Sequence, residues 1–251
     1  GFVQCWGDDD DGQSTPPSGI FTQVSAGDSH TCAIDISGSI QCWGSNSYGQ
    51  VSNIPSGTFT QVSAGTIHTC AIDIDGSVQC WGVDDGTYED LGQVTDAPSG
   101  TFVQVSAGGW HSCAIDLDGD LHCWGGGTEN DWPNYGQGSP ISGSFVQVSA
   151  GTYHNCGIDI SGTIQCWGSN DYGESTPPSG SFVQISAGYT HSCGIDSSGS
   201  VQCWGIDSGD DWGIDSGNEW YDDYNYGQVS DTPSGSFLQV SAGDSHSCGI
   251  D

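Results

Sequence analysis

The side chains best able to do chemistry in this chain are its twelve cysteines and its histidines. Six histidines, His30, His68, His111, His154, His191 and His246, each stand two residues before a cysteine. A thiol beside an imidazole is the raw material of a nucleophile, and several such groups together are the raw material of a zinc site. The spacing argues against both. Ten cysteines fall into five local pairs, Cys32/Cys42, Cys70/Cys80, Cys113/Cys123, Cys156/Cys166 and Cys193/Cys203. Their separation is wider than a Cys-x-x-Cys knuckle. Each pair is bracketed by an apolar pair: Ile34/Ile40, Ile72/Val78, Ile115/Leu121, Ile158/Ile164 and Ile195/Val201. If those apolar residues face each other across a hairpin, period-2 alternation puts the cysteines face to face as well. Directly opposed cysteines meet the distance requirement of a disulfide. Five cross-strand disulfides are expected, with buried thiol pairs as the alternative. Joining the chain ends would oppose Cys5 to Cys248 as a sixth pair, with Val3 opposite Ile250. An oxidised sulfur is no nucleophile, so the histidines are expected to be partly buried and bonded to turn or neighbouring backbone. His122, alone in a position that is otherwise Gln, is expected to serve the surface or the packing.

The acidic residues offer different chemistry. Asp8 and Asp10 belong to one run, Asp84 and Asp85 to a second, and Asp207, Asp210, Asp211 and Asp215 to a third. Calcium takes several oxygen ligands from adaptable loops, so these are candidate calcium ligands. No EF-hand spacing is present, and the alternative is a solvated acidic loop. No other cofactor is implied. Trp212, Trp220, Tyr221 and Tyr224 lie in the third region. Aromatics beside acids suit contacts to protein or glycan, or cover an outer edge of the fold. Neither a Ser/His/acid arrangement nor a phosphate-binding loop is visible, so an unrecognised hydrolase ranks last.

Charge removes whole function classes. The chain has no Lys or Arg and 32 acidic residues, for a formal net charge of −32. Nucleic-acid binding depends on basic side chains and is excluded as a partner class. Attraction to an anionic membrane is disfavoured too, and no apolar run is long enough to cross a bilayer. Regularly placed cysteines point to an oxidising setting, extracellular or at a cell surface.

The elements that place these groups come in a repeat. Copies begin at Phe21, Phe59, Phe102, Phe145, Phe182 and Phe237. A unit recurring every ~40 residues calls for a repeat architecture. Within one copy, Phe145 to Ser149, His154 to Asp159 and Thr163 to Trp167 read as three strands, with turn chemistry from Asp159 to Gly162. An outer strand is expected near each Gly-Gln, as at Gly49-Gln50 and Gly136-Gln137. The half-unit at each end predicts six blades, the N-terminal strand completing the last. Residues 1–251 read as one all-β domain, open to being a fragment of a longer or processed protein.

The pattern Phe102-Val103-Gln104-Val105-Ser106-Ala107-Gly108, then His111-Ser112-Cys113-Ala114-Ile115, then Gly119-Asp120-Leu121-His122-Cys123-Trp124-Gly125 resembles the RCC1-repeat family of β-propellers. The resemblance covers essentially the whole chain. It implies blades of roughly four strands around a central axis, with loops exposed on two faces. Members of that family exchange nucleotides on a small GTPase, inhibit enzymes or bind other proteins, and repeat residues alone transfer none of these activities. The expected function is an extracellular structural or interaction scaffold that binds a protein partner or copies of itself, self-assembly into a surface layer or fibre included. A secreted protein- or carbohydrate-binding module or inhibitor is the alternative.

Overall fold

The computed structural model describes residues 1–126, 134–206, 228–243 and 246–250. Each repeat makes one antiparallel sheet. The first holds β1 (Phe21–Ala26), β2 (His30–Asp35) and β3 (Ile40–Gly44), and the second β4 (Phe59–Ala64), β5 (His68–Asp73) and β6 (Val78–Gly82). The third holds β7 (Phe102–Ala107), β8 (His111–Asp116) and β9 (Leu121–Gly125), and the fourth β10 (Phe145–Ala150), β11 (His154–Asp159) and β12 (Ile164–Gly168). The fifth holds β13 (Phe182–Ala187), β14 (His191–Asp196) and β15 (Val201–Gly205), and the sixth only β16 (Gln239–Ala242) and β17 (Ser247–Ile250).

The second hairpin of each complete sheet is set by its turn. The Asp35 carboxylate accepts from the amides of Ser37 (2.8 Å) and Ser39 (3.1 Å), and Gly38 takes φ 83°, a conformation that strains any residue with a Cβ. The turns at Asp73, Asp116, Asp159 and Asp196 repeat this arrangement. The Ser161 and Ser198 hydroxyls, helped by backbone amides, lower Asp159 and Asp196 to about 2. With the turn fixed, Ile34 pairs with Ile40 and Cys32 with Cys42, and the other four hairpins keep the same register. His122 keeps the role of the Gln it replaces: its Nε2 lies 2.8 Å from Asp116 Oδ2, where Gln79, Gln165 and Gln202 donate to their own turn aspartates.

All five opposed cysteine pairs are bonded: Cys32–Cys42, Cys70–Cys80, Cys113–Cys123, Cys156–Cys166 and Cys193–Cys203. The alternative of buried thiol pairs therefore does not hold, and the burial it implied is also wrong for one member of each pair. Cys70 and Cys156, on second strands, are wholly buried. Cys80 and Cys166, on third strands, are only half-buried, as are Cys42, Cys123 and Cys203. The second strand lies between two others in its sheet, whereas the third is an outer strand with one ladder partner. Its cysteine is therefore less covered.

Consecutive sheets pack side by side, the first strand of each against the first strand of the next. A first strand has a ladder partner on one side only, so its other edge would leave amides unpaired. Side chains of the preceding blade reach that edge. Gln23 Oε1 accepts from Val62 N (3.0 Å) and Ser25 Oγ from Ala64 N (3.0 Å). Gln61 and Ser63, Gln104 and Ser106, Gln147 and Ser149, and Gln184 and Ser186 do the same one blade further on. The recurring Gln-x-Ser is therefore the joint between blades. Apolar packing crosses the joint too: Cys32, Ile34 and Ile40 share a cluster with Phe59, Val62, Ala71 and Trp81 of the next blade. At ~1.5–3 kcal/mol per buried large apolar side chain, these shared clusters hold the units together where a lone three-stranded sheet could not.

Three further expectations are corrected. The connections contribute no outer strand among the described residues. Their amides are taken by side chains instead: Asn46 Oδ1 accepts from Val51 N and Ser52 N, each at 3.0 Å, and Gln50 Oε1 from Tyr48 N at 2.8 Å. The N-terminal segment does not complete the last sheet. The Gly1 carbonyl accepts from Phe21 N (2.8 Å) just as the Gly38 carbonyl accepts from Phe59 N (2.8 Å), and Val3 and Cys5 pack on Phe21, Ala33 and Trp43. These contacts put the segment where the third strand of a blade preceding the first would lie. Cys5 and Cys248 are consequently unbonded, and Ile250 pairs with Gln239 rather than Val3. In four of the five complete blades the third-strand Trp sits against Phe and donates to a Gln or Glu carbonyl, as Trp81 does with Phe59 and Gln50. The equivalent place in the sixth sheet is a cavity of about 250 Å³ lined by Phe237, Gln228 and Pro233.

Candidate interaction face

The loops between first and second strands gather on one end of the blades. Each is a tight turn closed by a glycine amide, as Gly27 N donates to His30 O (2.8 Å) and Gly65 N to His68 O (2.9 Å). Successive loops are linked: Asp28 N donates to Gly65 O (3.3 Å), Thr66 N to Gly108 O (3.2 Å), Gly109 N to Gly151 O (3.2 Å) and Thr152 N to Gly188 O (3.1 Å). A Cβ at Gly65 would collide with the Gly108 carbonyl, so this approach requires glycine.

Beneath the loops run the repeated histidines. His30 Nε2 meets Thr69 Oγ1 (2.8 Å), His68 Ser112 Oγ (2.7 Å), His111 Asn155 Oδ1 (2.7 Å), His154 Ser192 Oγ (2.7 Å) and His191 Ser247 Oγ (2.8 Å). The partner is a side chain of the next blade, not backbone as expected. Burial pushes His30 and His111 down to about 4, and His68 and His154 to about 3. Each engaged with a side chain of the neighbouring blade, these imidazoles are part of the joint.

The residues at the loop tips differ from blade to blade: Asp28-Ser29, Thr66-Ile67, Gly109-Trp110, Thr152-Tyr153 and Tyr189-Thr190. In the third to fifth blades they bring aromatic rings together. Trp110 stacks on Tyr153, with centroids 5.3 Å apart and planes 12° apart. Tyr189 and Tyr135 stand against Tyr153 at 5.5 and 5.7 Å, tilted by 61° and 65°. Tyr189 is 39% exposed and Tyr135 42%. The segments leaving the third strands return to the same end, since Val83 N donates to Ile67 O (3.2 Å) and Ser169 N to Tyr153 O (2.9 Å). They carry exposed Asp84 and Asp85 just after Val83 and exposed Asp171 just after Ser169.

This cluster was not singled out from the sequence. The signal available was variation: two residues change freely between the fixed Ala-Gly and His-x-Cys of every unit. The aromatics that were singled out, Trp212, Trp220, Tyr221 and Tyr224, lie outside the described residues, as do Asp207, Asp210, Asp211 and Asp215. Asp8 is tied to the amide of Asp10 (3.3 Å) and to Gln13 Nε2 (2.8 Å), and Asp85 to Thr87 N (3.0 Å). Asp8 and Asp85 thus cap turns, and among the described residues no three His, Cys, Asp or Glu side chains converge on one point.

Comparison with known proteins fits this architecture. The repeat described as "Regulator of chromosome condensation (RCC1) repeat" matches residues 21–50, 59–88, 102–137, 145–174 and 182–209, and the chain belongs to that family. Among curated proteins none matches. Similar solved structures include the ectodomain of the Physcomitrella patens receptor kinase CR4, with a TM-score of 0.70 at 24% identity, covering 94% of this chain and 59% of that one. The CRINKLY WD40 ectodomain of the Arabidopsis thaliana receptor kinase ACR4 gives 0.69 at 25% identity, covering 94% and 78%. Yeast RCC1 (Prp20), crystallised bound to Kap60, gives 0.67 at 19% identity, covering 92% and 67%. The chain therefore spans little more than half the length of the Physcomitrella ectodomain.

Proposed function

We propose that this RCC1-repeat propeller is an extracellular, non-catalytic scaffold that binds a protein partner through the loop face of its third to fifth blades. The observation that carries the reading is the Trp110–Tyr153–Tyr189 cluster with Tyr135. Large rings held by neighbouring rings and still open to solvent are what contact surfaces are built from. The framework below them is uniform from blade to blade, while the tips vary, which is how a rigid scaffold carries binding residues on loops. Five disulfides support an oxidising compartment, and the similarity to two receptor-kinase ectodomains agrees with it.

The test needs no candidate partner in hand. A random peptide library is selected on the wild-type protein and on a triple variant, Trp110→Ser/Tyr153→Thr/Tyr189→Thr. These replacements copy the small residues Ser29, Thr190 and Thr66 at loop tips of other blades, so the fold is expected to survive them. Binders that lose the variant while keeping the wild type support the reading. Identical binder sets on both proteins would defeat it.

A further inference from the structure

We infer that the aromatic face selects cationic side chains, so that the partner presents Lys or Arg to it from a protein segment. The inference rests on the reading of this face as the contact surface and adds the chemistry of what it contacts.

Three observations lead there. First, the chain has no Lys or Arg, so no ring of the cluster is covered by such a cation of its own. Ring faces attract ammonium and guanidinium groups within about 6 Å. Second, the field has one sign: with a net charge of −32, and with Asp84, Asp85 and Asp171 exposed on connections that bond to the loops of this end, an approaching cation is drawn to this face. Third, ring orientation discriminates between ligand classes. A sugar wants a flat, open ring face. Here Trp110 and Tyr153 cover each other at 12°, while Tyr189 and Tyr135 rise from Tyr153 at 61° and 65°. Tilted rings form corners in which a compact cation touches more than one ring. A neutral glycan gains little from such corners and nothing from the charge.

The test is calorimetric titration of the intact protein with a blocked decapeptide alternating Arg and Gly, at physiological salt. Controls are the same peptide with citrulline for Arg, and a linear neutral glucan hexamer. Saturable binding of the Arg peptide is expected, with neither control binding. The triple variant Trp110→Ser/Tyr153→Thr/Tyr189→Thr is expected to bind about tenfold more weakly or worse. Asp8→Asn/Asp10→Asn, which removes two charges from the first blade's approach, is expected to change affinity about twofold at most. Equal affinity in the triple variant would mean diffuse charge attraction and would overturn the proposal, as would binding of the citrulline peptide or the glucan, or no saturable binding at all. Library binders that depend on the cluster but are neutral would sink this inference while leaving the scaffold reading intact.

Discussion

His111 Nε2 lies 2.7 Å from Asn155 Oδ1, in the place where His68 meets Ser112 and His154 meets Ser192. An amide oxygen only accepts, so His111 carries its proton on Nε2. Asn155 Nδ2 donates to Gln137 O (2.9 Å), as the hydroxyls of Thr31 and Ser192 donate to Gln13 O (3.0 Å) and Glu174 O (3.4 Å), but those two carbonyls also receive the indoles of Trp43 and Trp204, each at 2.9 Å. In other blades the carbonyl at that position receives the indole of the third-strand Trp, as Gln50 receives Trp81 (2.9 Å) and Gln93 receives Trp124 (3.0 Å). Trp167 is left with a buried Nε1 and no acceptor.

Replacing Asn155 with Ser is therefore expected to stabilise the protein by about 1 kcal/mol, because an unsatisfied buried donor costs ~1–3 kcal/mol and Ser still serves His111. Denaturant unfolding gives the sign. A lower midpoint for Asn155→Ser than for wild type would show that the second Asn bond outweighs the indole bond.

Acid should loosen the joints. His30, His68, His111 and His154 have folded values of about 3 to 4, below the ~6.5 of an unfolded chain. The unfolded state then binds more protons, so this contribution is complete above pH ~6.5 and is lost as pH falls toward 4 and 3. Each such histidine adds a slope of about 1.4 kcal/mol per pH unit inside that window. Turn aspartates such as Asp159 and Asp196, lowered to about 2, act in the same direction at still lower pH. Unfolding midpoints measured between pH 7.5 and 4.5 should fall steadily, and a flat profile would contradict buried neutral imidazoles.

At Gly65 a single methyl should be felt two blades wide. Gly65→Ala drives Cβ into the Gly108 carbonyl, and neither loop can yield without disturbing the histidine below it. A loss of roughly 1–3 kcal/mol is expected from such overpacking. Thermal unfolding of Gly65→Ala beside wild type decides, and an unchanged Tm would mean that the loops are not in contact.

Removing one staple should cost about as much as any small cross-link. Cys113→Ser/Cys123→Ser opens a loop with a sequence separation of 10, and about 2–3 kcal/mol is expected to go. Five staples make the molecule tolerant of one such loss, so the double variant should still fold and unfold cooperatively. Its denaturant midpoint, taken without reductant, is the measurement.

How far the molecule was legible depended on where its information is local. Ile34 opposite Ile40 and Cys32 opposite Cys42 follow from a turn whose Asp35 and Gly38 can be read directly, so strands, register and five disulfides were accessible. The joint was not, because Gln23 and Ser25 bond amides in another repeat, and no feature of their own segment announces it. The expected ring closure failed for a similar reason: Gly1 to Gly7 takes a third-strand place against the first blade, as its pattern says, but the pattern does not say which sheet pairs with it, and the sixth sheet stays two-stranded. The aromatic face escaped notice because Trp110, Tyr153 and Tyr189 are a cluster only in three dimensions. One unit at a time, they look like ordinary variation in a loop.

The bonds from Gln and Ser side chains to the adjoining strand have a consequence for how such a molecule changes over time. They recognise main-chain groups alone, the amides and, from the Nε2 of Gln104, Gln147 and Gln184, a carbonyl, so these bonds accept a neighbouring unit whatever its tips or outer connection contain. Copies can be gained, lost or reordered by recombination within the gene without a matching change elsewhere. Surface novelty and unit number are thereby uncoupled from the architecture that supports them.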